Sequence, residues 1–118
     1  MYKNSLSTNE EILHGEFLTS VNGKYRAVFQ IDCNLVIYGD SAIWHSDTAQ
    51  STGVRLILQE DGNFVMYTQT KNAVWFTGSI SKELSQRMRL TLTDRGHLEL
   101  TRDGVLIWTS EKSKGIKP

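Results

Sequence analysis

Short apolar runs, separated by clusters of Asp, Asn and Gly, occupy most of the chain. Residues 25–29 and 54–58 are two such runs, and the turn-forming clusters Asp32-Cys33-Asn34 and Asp61-Gly62-Asn63 follow them. Asp94-Arg95-Gly96 is a third cluster of the same kind. Apolar residues return at 35–38, 64–67 and 97–100, and second turns are predicted at Gly39-Asp40-Ser41, Thr70-Lys71-Asn72 and Arg102-Asp103-Gly104. The last runs, 42–44, 73–76 and 105–108, carry Trp44, Trp75 and Trp108. An early strand near 16–19 fits an N-terminal edge, with Val21-Asn22-Gly23-Lys24 as its turn. No segment sustains a 3.6-residue apolar period with a cap, so helix content is expected to be low. The single proline is terminal and interrupts no strand. The pattern predicts an all-β domain of three pseudo-symmetric units, each of roughly thirty residues. None of the three small sheets can bury an apolar face alone, and packing around a common axis would bring the tryptophans together as core.

Polar positions repeat as well. Gln30-Ile31-Asp32-Cys33-Asn34-Leu35-Val36-Ile37-Tyr38 returns as Gln59-Glu60-Asp61-Gly62-Asn63-Phe64-Val65-Met66-Tyr67, with Gln, Asp, Asn, Val and Tyr in the same places. Apolar alternation suffices to make a fold, so two copies of one polar set suggest two copies of one binding site. Strand side chains alternate between faces. Gln30, Asp32, Asn34, Val36 and Tyr38 are therefore expected outward, as are Gln59, Asp61, Asn63, Val65 and Tyr67. Ile31, Cys33, Leu35, Ile37, Phe64 and Met66 are expected inward. Aligning the third copy on Asp94 gives Leu92, Asp94, Gly96, Leu98 and Leu100 at the five places, a degraded set expected to be silent. The intact sets combine a carboxylate acceptor, amides that donate and accept, a phenol that does either, and a small apolar patch. Adjacent sugar hydroxyls around a ring with apolar C–H faces are a close complement, and the axial 2-hydroxyl of mannose could be gripped by Asp and Asn together.

The pattern Gln-x-Asp-x-Asn-x-Val-x-Tyr, read twice and in degraded form a third time, resembles the monocot mannose-binding (bulb-type) lectins. The resemblance runs from about Glu11 to Ser110 and includes Gly15-Glu16-Phe17-Leu18, Trp44-His45-Ser46-Asp47-Thr48 and Trp75-Phe76-Thr77-Gly78. It implies a β-prism II fold and calcium-independent binding of α-linked mannose, with no cofactor. By the same resemblance Gln30 and Gln59 would bond the 3-hydroxyl, and Asp32, Asn34, Asp61 and Asn63 the 2-hydroxyl. Tyr38 and Tyr67 would take the 4-hydroxyl, and Val36 and Val65 would touch ring carbons. The family often pairs a cysteine at the place of Cys33 with one where Val54 stands, so that disulfide is absent. In form the chain is most similar to the lily-type lectins of fish skin and mucus, which suggests a defence or agglutination role. Family members often dimerise by exchanging C-terminal strands, which would place 105–110 at a homodimer interface. The tail, about 111–118, is expected to be a mobile end.

Composition narrows the alternatives. The chain has 118 residues, the length of one ordinary domain, with 13 basic and 13 acidic side chains. That balance disfavours nucleic acid and anionic membranes as partners. The polar N-terminus lacks an apolar signal core and no stretch is long enough to span a membrane. The expectation is cytosolic synthesis, or export to skin, mucus or the extracellular space by a route that needs no cleaved signal. Cys33 is the sole cysteine, which excludes an internal disulfide. His14, His45 and His97 have no metal-ligand spacing. Asp32 and Asp61 could be imagined as a glycosidase pair, but equivalent residues of separate pseudo-symmetric units should lie far apart. The remaining alternative is a protein-interaction module on a lectin scaffold, since fold alone does not determine function.

Overall fold

A computed structural model describes residues 3–118. All regular secondary structure among them is strand: β1 (Ser5–Ser7), β2 (Glu11–Leu13), β3 (Phe17–Thr19), β4 (Arg26–Phe29), β5 (Leu35–Tyr38), β6 (Ala42–His45), β7 (Gly53–Leu58), β8 (Phe64–Thr68), β9 (Ala73–Phe76), β10 (Met88–Leu92), β11 (Leu98–Arg102) and β12 (Val105–Thr109). They form three four-stranded antiparallel sheets, ordered β3-β4-β5-β6, β2-β7-β8-β9 and β1-β10-β11-β12. Three strands of each sheet come from one sequence unit. The fourth comes from the N-terminal segment, which deals β1, β2 and β3 in turn to the three sheets. The apolar pattern foretold β3 and the later runs. It gave no warning of β1, β2 or β10, the first two being only three residues long with one buried side chain each.

The sheets turn their apolar faces to a common core. Ala27, Phe29, Leu35 and Ile37 meet Leu56, Leu58, Phe64 and Met66 there, together with Leu90, Leu92, Leu98 and Leu100. On the axis Trp44, Trp75 and Trp108 pack edge to face, with ring centroids 6.2–6.4 Å apart. That arrangement sets the positive edge of each ring against the negative face of the next.

Each unit repeats three backbone features. The hairpin closes on an inward pair, Phe29 with Leu35, Leu58 with Phe64, and Leu92 with Leu98. A hydroxyl from the loop after the third strand accepts the next buried N–H. Ser46 Oγ serves Leu35 N at 3.1 Å, Thr77 Oγ1 serves Phe64 N at 3.1 Å, and Ser110 Oγ serves Leu98 N at 2.8 Å. A bulge then follows between Ile37 and Tyr38, between Met66 and Tyr67, and between Leu100 and Thr101. One irregularity at one place in three sheets marks a built feature of the repeat.

The C-terminal segment, expected to be mobile, is packed against its own chain. Trp44 Nε1 donates to the carbonyl of Ser113 at 3.0 Å and Trp75 Nε1 to that of Lys114 at 2.8 Å. Ile116 forms an antiparallel bridge with Phe76, and Lys117 Nζ lies 2.8 Å from Asp47 Oδ2. The indoles explain the docking, because a buried N–H needs an acceptor and the tail carbonyls supply two.

Two outcomes follow for the tail. Gly115 has φ +77° and an added Cβ would meet the Trp75 indole at 2.5 Å, whereas at Gly104 (φ +83°) nothing lies within 4 Å. Urea unfolding should show Gly104→Ala costing about 1–2 kcal/mol for left-handed backbone, and Gly115→Ala costing about 1–3 kcal/mol more from overpacking. Equal losses would mean the tail is not seated on Trp75. The Lys117 ammonium, by hydrogen bond and charge, holds the Asp47 carboxyl below the usual carboxylate range. Its contribution to tail docking is thus complete above the ordinary Asp range and lost as pH falls through the lowered value. The protection factor of the Ile116 amide, measured against the intrinsic exchange rate at each pH, should fall with acid more in wild type than in Asp47→Asn.

Candidate carbohydrate site

In the first unit the hairpin between β4 and β5 turns tightly. Gln30 N donates to the carbonyl of Asn34 at 2.8 Å, Cys33 N donates to that of Gln30 at 2.9 Å, and Cys33 has φ +74°. The same bonds recur between Gln59 and Asn63 and between Gly62 and Gln59, with Gly62 at φ +93°. The turn brings the strand-end Gln beside the Asp. Gln30 Nε2 donates to Asp32 Oδ1 at 3.1 Å, and Asn34 N donates to the same oxygen at 3.0 Å. Tyr38 Oη, from the outward face of β5, donates to Gln30 Oε1. In the second unit Gln59 Nε2 donates to both Asp61 oxygens at 3.1 Å, Asn63 N donates to Asp61 Oδ1 at 2.9 Å, and Tyr67 Oη donates to Gln59 Oε1. One relay, Tyr to Gln to Asp, is built twice.

The asparagine is oriented from below. Asn34 Oδ1 accepts from Thr48 N at 3.1 Å and lies 3.1 Å from Ser46 Oγ, the hydroxyl that also receives Leu35 N. Asn63 Oδ1 accepts from Gly78 N at 2.9 Å and lies 3.2 Å from Thr77 Oγ1. A main-chain N–H can only donate, so the amide oxygen must face it and Nδ2 must face the other way. In the first unit Nδ2 sits 3.5 Å from His45 Nδ1, which also accepts from Asp47 N at 3.1 Å. Phe76 occupies the place of His45 in the second unit, opposite Val65 as His45 is opposite Val36.

The relay leaves a defined set of valences. Each Tyr hydroxyl, having donated to Gln, can accept; the Asp carboxylate retains acceptor capacity; and Asn Nδ2 and Gln Nε2 retain N–H groups. Acceptor and donor side by side match a hydroxyl that must both give and receive a hydrogen bond. Among the described residues no group of three or more His, Cys, Asp or Glu is placed to hold a metal.

Several expected placements are corrected. Ile31, assigned inward, is 83% exposed, and Cys33 is only partly buried. Strand alternation stops at the hairpin pair Phe29–Leu35, and the three turn residues follow turn geometry instead of pleat geometry. Cys33 Sγ lies 3.6 Å from His14 Nε2, and burial, followed by the Asp32 charge, raises its thiol pKa. Val36 and Val65, assigned as an exposed apolar patch, are 4% and 2% exposed. Their cross-strand neighbours, Val28 and His45 for one and Ile57 and Phe76 for the other, leave a ligand little of them to touch.

The third copy is out of register by one residue. Leu92, Leu98 and Leu100 are fully buried core residues, equivalent to Phe29, Leu35 and Ile37. Thr93, not Leu92, carries the bonds of Gln30 and Gln59, since Thr93 N donates to the carbonyl of His97 at 2.8 Å and Gly96 N to that of Thr93 at 3.0 Å. The bulge before Thr101 places that residue where Tyr38 and Tyr67 stand. The five equivalent positions are therefore Thr93, Arg95, His97, Glu99 and Thr101. Asp94 corresponds to Ile31 and Glu60, and its Oδ1 accepts from Asn22 N at 2.9 Å. Alignment on the shared aspartate hid this. Alignment on Gly62 with Gly96, or on the inward apolar residues, would have revealed it.

No protein-family model matches the chain. It is 46% identical over 114 residues to the B-type lectin plumieribetin of Scorpaena plumieri, an alignment covering 97% of this chain and 100% of that protein. The structure is similar to monomeric monocot mannose-binding lectins from Gastrodia elata, with TM-score 0.83, 26% identity, and coverage of 94% of this chain and 99% of the other. It is also similar to the mannose-specific agglutinin of snowdrop (Galanthus nivalis) complexed with methyl-α-D-mannoside, with TM-score 0.75, 27% identity, and coverage of 84% and 89%. The three-sheet arrangement is the β-prism II of that lectin. Lectins bind carbohydrate without transforming it, which answers the glycosidase alternative. The chain belongs to the bulb-type (B-type) lectin family.

Proposed function

We propose that this protein binds α-linked mannose through two equivalent faces, one on Gln30, Asp32, Asn34 and Tyr38 and the other on Gln59, Asp61, Asn63 and Tyr67, without a metal ion. The observation that carries this reading is the twice-built relay, with the same side chains held by the same bonds. A scaffold kept only for its fold would need neither copy. The mannose specificity named for its relatives, and the mannoside in the snowdrop complex, support the choice of sugar. Asp and Asn would share the axial 2-hydroxyl, Gln the 3-hydroxyl and Tyr the 4-hydroxyl. Each exposed hydrogen bond contributes roughly 0.5–1.5 kcal/mol net, so one face should hold a monosaccharide with a dissociation constant on the order of millimolar. Two faces on one chain, and more in an oligomer, would raise avidity for clustered glycans by about 10²–10⁴ where spacing permits, enough for agglutination.

A homodimer built through the C-terminal strand belongs to the same proposal. β12 is a sheet edge with Val105 65% and Leu106 51% exposed. Behind it Trp108 Nε1 is buried without a partner among the described residues, while the tail satisfies the indoles of Trp44 and Trp75. A C-terminal strand from a second copy would cover this edge and supply the missing acceptor.

Isothermal titration with methyl α-mannoside should give two sites in wild type, one in Asp32→Ala, one in Asp61→Ala and none in the double variant. A double variant that still binds would place the sugar elsewhere. Light scattering after size exclusion should show a dimer that Leu106→Lys converts to monomer. A monomeric wild type at the highest soluble concentration would reject the dimer and leave the sugar faces unaffected.

A further inference from the structure

We propose that the third face, displaced by one residue from its apparent alignment, is a second kind of binding site, taking a sugar that carries an acid group. The backbone that shapes the two mannose faces is fully kept there. Thr93 and His97 close the hairpin, Gly96 holds φ +88°, Ser110 Oγ receives Leu98 N, and the bulge precedes Thr101. What differs is the chemistry presented. In the first two units the Asp carboxylate accepts the hairpin N–H of Asn34 or Asn63. In the third, Thr93 Oγ1 takes that task, accepting from Arg95 N at 3.3 Å and His97 N at 3.2 Å.

The Arg95 side chain is thereby freed. It stands in the place of Asp32 and Asp61, is exposed, and makes no salt bridge among the described residues. Arg89, the other guanidinium of this sheet's outer face, is held by Ser5 Oγ at 2.9 Å. A guanidinium offers a planar fork of donors that fits a carboxylate or sulfate bidentately, and it cannot accept from a hydroxyl. At this position an acceptor for the 2-hydroxyl of mannose has become a donor for an anion. The remaining groups suit the rest of a sugar. Glu99, in the place of Val36 and Val65, and Thr101, in the place of the tyrosines, can accept from ring hydroxyls. His97, whose Nε2 lies 3.9 Å from Glu111 Oε2, adds a ring nitrogen at the place of Asn34 and Asn63. The two carboxylates also disfavour a bare anion, since only a ligand with hydroxyls to give can satisfy them. A carboxylated sugar and a sulfated sugar share this chemistry.

Amide-resolved NMR titration of the full chain separates the possibilities. The probes are methyl α-glucuronide, the methyl α-glycoside of N-acetylneuraminic acid, galactose 6-sulfate, neutral methyl α-galactoside, and sodium sulfate at matched ionic strength. Saturable shifts at Thr93, Gly96 and Glu99 are expected with the carboxylated or the sulfated sugars, and the stronger series identifies the acid. Arg95→Ala should weaken that binding at least about tenfold, with Arg95→Lys retaining part of it. Methyl α-mannoside shifts at Asn34 and Asn63 in the same samples should not change. Failure of those mannoside shifts would count against the first two faces only. No response to any acidic sugar, an equal response to neutral galactoside or to sulfate alone, or undiminished binding in Arg95→Ala would each overturn the assignment of the third face.

Discussion

A single hydrogen bond, made three times, joins the fold of this protein to its surface chemistry. Ser46, Thr77 and Ser110 each accept the first buried N–H of a returning strand, and their own N–H groups bond back to the carbonyls of Leu35, Phe64 and Leu98. A buried N–H left without a partner would cost about 1–3 kcal/mol at each hairpin. The bond therefore specifies where the loop after the third strand must lie, and with it the register of the hairpin beneath. In two units the same hydroxyl also reaches the asparagine amide oxygen. The side chain best placed to grip a ligand is thus tied to the bond that closes the sheet.

From that frame the three outer faces follow by substitution of side chains alone. Where Gln, Asp and Tyr occupy the outward places, they form a relay that orients each member and leaves acceptors and donors side by side. Where Thr, Arg, His and Glu occupy them, the hairpin is held by Thr93 and a cationic fork is left free. The threefold core beneath tolerates either, because the inward residues that fill it are apolar in all three units. The tryptophans show the complementary constraint. They meet on the axis in equivalent poses, yet the single tail can satisfy only two of the three indoles. Symmetry is broken there by chain connectivity, which leaves one edge of the prism with an unmet need.

Much of this was legible in the sequence, and the illegible parts have physical reasons. The alternation of apolar residues indicated nine strands and the shared core, and the repeated Gln, Asp, Asn and Tyr marked the two matching faces. The strands β1 and β2 were invisible because three residues with one buried side chain carry no period. Ile31 points outward because it lies in a turn, where the alternation of the pleat no longer applies. Val36 and Val65 were placed on the correct face, but their neighbours on adjacent strands, which bury them, are set by pairing register. The register of the third unit is hidden by Asp94, which mimics the shared aspartate, whereas Leu92, Leu98 and Leu100 bear the packing constraint that sets it. The docking of the tail is illegible because its acceptors are main-chain carbonyls, which no side-chain pattern announces.

The central claim is that two of three geometrically equivalent faces present one mannose-complementary set and that the third does not. A crystal structure of the protein grown with saturating methyl α-mannoside tests it most directly. The account predicts one sugar against Asp32 and Asn34, one against Asp61 and Asn63, and none against Arg95 and His97. A mannoside seated on the third face, or bound anywhere while both Asp and Asn pairs remain without sugar, would contradict it.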